Sequence, residues 1–302
     1  MAPGRGTRPR RGFRRVSRVI GLVCGVGFCA WLCPAVAAAQ PPQPARIVVV
    51  PSGTLRLKAS LWMPRGAGPF PAVLFNHGSG GDDPEHTAGL EITAAAARLA
   101  PAFVGRDYAF LYLYRRGQGL SADQAAFIQD RLRQEQRQHG PDARERLQLT
   151  LMTTEQLDDV MAGVAFLKTL PHVDGARIAL VGHSFGGQLT LLAAEREPDI
   201  RAVVTFGAAA NSWRSSAELR QRLQTAVDNA HAPIMLIHAA NDYDTTPGAA
   251  LKAELVRRQR PAVLKIYPPV GTSSDDGHNL VYLAISSWEA DVFSFLDQYL
   301  KN

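Results

Sequence analysis

Cysteine is scarce in this chain. Only three occur in 302 residues, and Cys24, Cys29 and Cys33 all lie near the N-terminus. The remainder therefore has no disulfide framework, no thiol nucleophile and no cysteine metal site. Acidic residues are missing from the first 39 positions, which hold seven arginines. Setting those seven aside leaves 26 basic residues against 27 acidic ones. The formal charge of +6 is thus an N-terminal property, and the body gives a nucleic-acid partner no electrostatic support. No internal repeat of fixed period is present. What remains is ordinary globular composition, 46% hydrophobic and 20% charged. A chain of this length buries a large core without disulfide or metal staples. Disorder, collagen and coiled coil are excluded for most of it.

Met1 to Arg18 is basic, Val19 to Val36 is an apolar run, and Ala37-Ala38-Ala39 supplies small residues at a cleavage site. That is the three-part anatomy of a secretory signal. Residues 1–39 are expected to be a signal peptide and residues 40–302 a single exported domain, periplasmic or secreted. Arg10-Arg11-Gly12-Phe13 is similar to a twin-arginine export motif. The alternative is an uncleaved anchor, since the apolar run of about 18 residues is near the lower limit for spanning a bilayer. The Ala-rich exit before Gln40-Pro41-Pro42 favours cleavage, after which no membrane span is expected.

Beyond this segment, strand and helix patterns alternate. Strands are expected at Ile47–Val50, Thr54–Met63, Ala72–Phe75, Ala109–Tyr114, Arg177–Val181, Ala202–Phe206, Ile234–His238 and Val263–Tyr267. Helices are expected at Thr87–Val104, Thr154–Leu170, Phe185–Glu197 and Val281–Tyr299, with others between the later strands. The alternation predicts an α/β fold: one mostly parallel sheet with helices on both faces. Ser121 to Thr153 breaks the rhythm. It is polar and helical in two pieces around Gly140-Pro141, and reads equally as a cap over the strand ends or a solvated insertion.

In such sheets ligands bind at the carboxyl ends of the strands. At one of them stands Gly182-His183-Ser184-Phe185-Gly186, between a strand and a helix. G-x-S-x-G in that context is a nucleophile elbow. A serine hydroxyl needs a base, and the base needs an orienting acid. After such an elbow the acid and then the histidine follow in the chain. Asp242 and Asp244 are the acids after the Ile234–His238 strand, and both stand open at this point. His278 follows the last strand across a loop, Pro268 to Gly277, and is the expected base. His183 is read as packing at the elbow, because neighbours on a tight turn point apart. His238 lies in a strand and is read as packing. The oxyanion needs amide donors. Phe185 supplies one, and the glycine-rich loop Asn76-His77-Gly78-Ser79-Gly80-Gly81 supplies the other, assigned to Ser79 with Gly78 and Gly80 as alternatives. Trp213 either lines an acyl pocket or packs.

These motifs resemble the α/β-hydrolase superfamily, within it the dienelactone-hydrolase-like and acyl-peptidase-like branch. The resemblance covers about Ile47 to Leu300. It is carried by the Asn76–Gly80 loop, Arg116-Gly117-Gln118-Gly119-Leu120-Ser121, the elbow, Asn241-Asp242 and Asp276-Gly277-His278. It implies the α/β-hydrolase fold, no metal or cofactor, and Asp242 rather than Asp244 as the acid. Arg115 and Arg116 take no chemical role; Arg116 is a loop-stabilising charge. Dienelactone hydrolases proper use a cysteine nucleophile, where this chain has Ser184. The expected partner is a small-molecule ester or acyl substrate, hydrolysed through an acyl-enzyme. A small peptidase or amidase is the second reading, and a non-catalytic binding protein on the same scaffold is the third.

Overall fold

Alternation within each strand decides how this sheet is buried. The structure is a computed structural model describing residues 44–302; the expected signal segment lies outside the described residues. β1 (Arg46–Ser52) and β2 (Leu55–Trp62) form an antiparallel hairpin, turning at Gly53-Thr54. β3 (Phe70–Asn76) is followed by a two-residue pair, β4 (His86–Thr87) and β5 (Leu90–Glu91), then α1 (Ile92–Val104) and β6 (Ala109–Leu113). A 3-10 turn spans Gly119–Gln124. Next come α2 (Ile128–His139), α3 (Pro141–Thr153) and α4 (Glu155–Thr169). β7 (Val173–His183), α5 (Phe185–Arg196), β8 (Ala202–Phe206), α6 (Ala217–Asn229) and β9 (Ile234–Ala239) follow. The chain ends with α7 (Thr246–Arg257), β10 (Ala262–Tyr267), α8 (Ser274–His278), α9 (Leu280–Leu283) and α10 (Ile285–Leu300).

Eight strands form one sheet in the order β1-β2-β6-β3-β7-β8-β9-β10. β1 and β2 run antiparallel; from β6 to β10 every pairing is parallel. Successive side chains point to opposite faces. Leu74, Leu111, Leu180, Val203 and Leu236 pack on one face with residues of α4, α5, α6 and α7. Val73, Phe75, Phe110, Tyr112, Val181 and Ile237 pack on the other with α1, α9 and α10. Both faces are covered, so the central strands read as continuous apolar runs. Each fully buried Leu, Val or Phe contributes roughly 1.5–3 kcal/mol.

Three expectations are corrected. Thr87–Glu91 is not helical. Ala88 (φ 55) and Gly89 (φ 70) are both left-handed, which makes a two-residue hairpin turn joining β4 to β5. The last helix is split at Ala284 (φ −135, ψ 50). That break lets Tyr282 and Trp288 both bury, with Trp288 Nε1–H donating to the Val281 carbonyl at 3.2 Å. The segment before His278 is not all loop. Ser273 and Asp276 form a capping box and start the short helix α8. The Ser121–Thr153 segment does break at Gly140 into the two helices α2 and α3. Among the described residues no helix is long and apolar enough to cross a membrane.

Candidate active site

Two glycines let β7 turn sharply into α5. A Cβ on Gly182 would lie 2.4 Å from the Gly186 carbonyl oxygen, and one on Gly186 would lie 2.1 Å from the Asn76 carbonyl oxygen. Between them Ser184 takes φ 54 and ψ −120, a strained conformation for a residue with a side chain. Its amide is tied to the Phe206 carbonyl at 2.8 Å. Asn76 at the end of β3 donates through Nδ2 to Thr190 Oγ1, which donates to the Gly186 carbonyl.

The structure brings Ser184, His278 and Asp242 together. Ser184 Oγ lies 2.8 Å from His278 Nε2, and His278 Nδ1 lies 2.7 Å from Asp242 Oδ1. A carboxylate only accepts, so Nδ1 carries the proton and Nε2 is free to take one from Ser184. Strand register sets these positions: Gly182 pairs with Thr205, Phe206 with Ile237, and Ala239 with Tyr267. The residues after those ends share one level of the sheet. Gly207 (φ 59) follows β8 between them; a Cβ there would lie 2.9 Å from His278 Nδ1.

Asp244 does something else. Its Oδ1 accepts from the amide and hydroxyl of Thr246 at the start of α7, and its Oδ2 pairs with Arg214. Trp213 packs in the core and does not border the cavity at Ser184. His238 does more than pack: its Nδ1 donates to the second carboxylate oxygen, Asp242 Oδ2, at 2.8 Å. The strand reading hid this, since only the four-residue spacing from Asp242 hints at it. Burial works to raise the Asp242 carboxyl, but hydrogen bonds from His238 and His278 outweigh it and hold it below the ordinary carboxylate value.

His183 is buried beside the elbow. Burial, then the proximity of His278, pushes its pKa down to about 3. It is therefore neutral, and its Nε2–H donates to the backbone carbonyl of His278 at 3.0 Å. Phe185 opens α5, where no preceding turn offers its amide an acceptor. Among the described residues neither that amide nor the Ser79 amide has a hydrogen-bond acceptor.

Two cavities meet at Ser184. One, of about 290 Å³, is bordered by Phe185, Gln188 and Asn211 and, from α3, by Arg144, Gln148 and Leu149. The other, of about 480 Å³, is bordered by Gly78, Tyr243, His278 and Leu283. Ser79 borders both. The helical insertion is tied down by ion pairs from Arg131 to Glu155 and from Arg133 to Asp82. Arg116 stabilises its loop as expected, pairing at 2.6 Å with the fully buried Asp159, which also accepts from Ser52. Among the described residues no group of three or more His, Cys, Asp or Glu is arranged to hold a metal ion.

An eight-stranded, mostly parallel sheet with a strained serine at a strand–helix turn defines an α/β hydrolase. Residues 57–299 match the dienelactone hydrolase family, and the chain belongs to it. Esterase EstD of Thermotoga maritima is 30% identical over 142 residues, 46% of this chain and 27% of that protein. The chain thus spans about a quarter of that relative's length. Among solved structures, a dienelactone hydrolase from Anabaena variabilis has a TM-score of 0.58 and 21% identity, covering 86% of this chain and all of that one. The acylaminoacyl peptidase of Pyrococcus horikoshii has a TM-score of 0.61 and 18% identity, covering 87% of this chain and 43% of its own. Est1E from Butyrivibrio proteoclasticus, solved with ferulic acid bound, has a TM-score of 0.58 and 19% identity over 84% of this chain and all of Est1E. At these identities the solved structures speak for the fold.

Proposed function

We propose that this chain is an exported serine hydrolase that cleaves carboxylic esters through an acyl-enzyme. The observation that carries the reading is the unbroken hydrogen-bond chain from Ser184 through His278 to Asp242 at a strained elbow. Membership of the dienelactone hydrolase family and the likeness to an esterase support it.

Ser184 Oγ attacks the ester carbonyl carbon while His278 Nε2 takes its proton. Asp242 holds His278 in the required tautomer and offsets the imidazolium charge. The amides of Phe185 and Ser79 receive the oxyanion. His278 then protonates the departing alcohol, and later activates the water that releases the acid. The proton donor sets the orientation. His278 borders the larger cavity and Phe185 borders the smaller one. The leaving group therefore occupies the cavity with Tyr243 and Leu283, and the acyl group occupies the cavity walled by α3. In this reading residues 121–153 are a cap that shapes the acyl site. Its wall carries Arg144, Gln148, Gln188 and Asn211, so short, hydrogen-bonding acyl groups are preferred to long alkyl chains.

The test is turnover of p-nitrophenyl esters from acetyl to decanoyl, with Ser184→Ala in parallel. Hydrolysis that vanishes in the variant and falls with chain length supports the reading. Equal turnover by both chains overturns the assignment of the nucleophile. A folded chain that cleaves amides and leaves esters untouched makes it a peptidase.

A further inference from the structure

Arg115 is a fully buried cation, and among the described residues no carboxylate forms an ion pair with it, although Asp159 attracts it from a distance. Burial pushes its pKa down to about 10, which still leaves it charged. Such a group is costly to bury. Its donors go instead to the glycine-rich loop after β3. Nη1–H donates to the His77 carbonyl at 2.8 Å and Nη2–H to the Gly78 carbonyl at 2.8 Å. Nε–H donates to Gln156 Oε1 on α4 at 3.1 Å, which anchors the guanidinium from behind. His77 adds a second donor to the Gly78 carbonyl, Nδ1 at 2.8 Å. Three residues on, Gln118 Nε2–H donates to the Ser79 carbonyl at 3.0 Å. Three consecutive carbonyls of the loop are thus held by side chains.

The Gly78 carbonyl and the Ser79 amide belong to one peptide unit, and the cis bond recorded among the described residues is elsewhere, at Gly68-Pro69. In a trans peptide the C=O and N–H point in opposite directions. Pulling the Gly78 oxygen toward Arg115 therefore turns the Ser79 N–H the other way. That amide has no acceptor among the described residues, and Ser79 borders both cavities at Ser184. The same guanidinium lies 5.7 Å from the centre of the Phe185 ring, the residue that supplies the other amide.

We propose that Arg115 is a positioning residue for the oxyanion site, aiming the Ser79 amide through its grip on the Gly78 carbonyl. This rests on the serine-hydrolase reading above. It predicts that losing the grip weakens binding of the transition state and leaves substrate binding alone.

The experiment compares Arg115→Lys and Arg115→Met with the parent chain. Lysine keeps a cation but offers one ammonium where two carbonyls are gripped side by side. Active sites are counted with a fluorophosphonate probe, so misfolded protein drops out of the rate. Per titrated site, kcat on a p-nitrophenyl ester is expected to fall on the order of 100-fold in Arg115→Met. The fall is smaller in Arg115→Lys, and KM stays within about threefold in both. Affinity for a phenylboronic acid, whose adduct places an oxygen at the oxyanion position, falls in step with kcat/KM. Should the methionine variant not fold, the lysine variant and its boronate affinity carry the comparison. A purely structural role would lower the melting temperature and the number of titratable sites, with kcat per site unchanged; that result overturns the inference. A parent chain that neither turns over esters nor reacts with the probe overturns the hydrolase reading and this inference with it.

Discussion

His238→Ala and His238→Asn form a matched pair that isolates one hydrogen bond. The bond runs from His238 Nδ1 to Asp242 Oδ2 at 2.8 Å between side chains only 2% and 1% exposed. Alanine leaves a buried carboxylate oxygen without a donor. Asparagine puts an amide N–H close to where Nδ1 stood. Stranding a buried acceptor costs about 1–3 kcal/mol, more when it is charged. The lost ring adds a cavity term. We expect His238→Ala to lose about 3 kcal/mol of stability and His238→Asn to recover at least half of it. The kinetic effect follows from Asp242, whose carboxyl is held low by His238 and His278 against the effect of burial. A depressed carboxyl contributes stability above its unfolded pKa, and that contribution is lost as pH falls through the folded pKa. Removing the His238 donor raises the folded pKa and moves the loss upward. The acid limb of kcat/KM should therefore shift to higher pH in His238→Ala and stay in place in His238→Asn. If half of a charged hydrogen bond is felt in the transition state, kcat/KM at neutral pH drops about tenfold. The assay is a pH–rate profile from about pH 4 to pH 8 with a p-nitrophenyl ester, beside urea melts of both variants. An alanine variant with the parent's profile, or an asparagine variant as impaired as alanine, refutes the reasoning.

Gly186→Ala would drive a Cβ to 2.1 Å from the Asn76 carbonyl and 2.3 Å from that of His77, both backbone atoms that cannot swing aside. We expect a loss of more than about 3 kcal/mol and little soluble protein, and a normal urea midpoint would contradict this. His183 is held neutral, with a folded pKa of about 3 against an ordinary histidine value of 6.5. The unfolded chain binds the extra proton between those values, so stability falls as pH drops below about 6.5, by about 1.4 kcal/mol per pH unit. His183→Gln keeps a donor for the His278 carbonyl and should flatten that slope; acid unfolding as steep as the parent's would show otherwise. Leu149→Trp narrows the acyl cavity, and Tyr243→Ala opens the other. In a crossed ester panel the first should alter acyl preference and the second leaving-group preference, with the reverse pattern inverting the proposed orientation. Gln188→Met replaces a buried amide whose oxygen has no partner. It should hold or raise the melting temperature while slowing turnover of polar acyl esters, and a large destabilisation would count against that.

What the sequence made legible was local or topological. The elbow is a local motif with its strand and helix attached. His278 follows from reading the residues just past strand ends, which left Asp242 and Asp244 both open; the family resemblance chose Asp242, and the structure sets it and His278 beside Ser184. The parallel sheet with its covered faces followed from alternation. The misread stretches turn on conformations that side-chain patterns conceal. Ala88 sits at positive φ, against its own preference, and its turn undoes the first part of the expected helix. The break at Ala284 has no glycine or proline to announce it. The grip of Arg115 on His77 and Gly78 depends on β6 lying next to β3. Sheet order is a long-range fact, and local periodicity carries no trace of which neighbour a strand chooses.

The cost of the site is visible independently of the motif. Among the described residues four buried side-chain atoms have no hydrogen-bond partner: Asn76 Oδ1, His183 Nδ1, Gln188 Oε1 and Arg222 Nη1. Three of the four belong to residues built around the elbow. Asn76 ends the strand that Gly186 packs against, His183 precedes Ser184, and Gln188 lies one helical turn after it, its amide bonded to the Ser184 carbonyl. The fully buried guanidinium of Arg115 lies behind the same loop. A core selected for stability alone would fill these positions with apolar groups, since an unpaired buried acceptor costs more than a satisfied one returns. Their concentration around Ser184 is the pattern expected where function overrides stability. The glycine-rich loop is held by Arg115 and Gln118, and the elbow by the hydrogen bonds from Asn76 to Thr190 and from Thr190 to Gly186, which leaves the residues bordering the cavities little freedom to move. Rigidity of that kind is what an oxyanion site requires, because donors already in place need no reorganisation when charge develops.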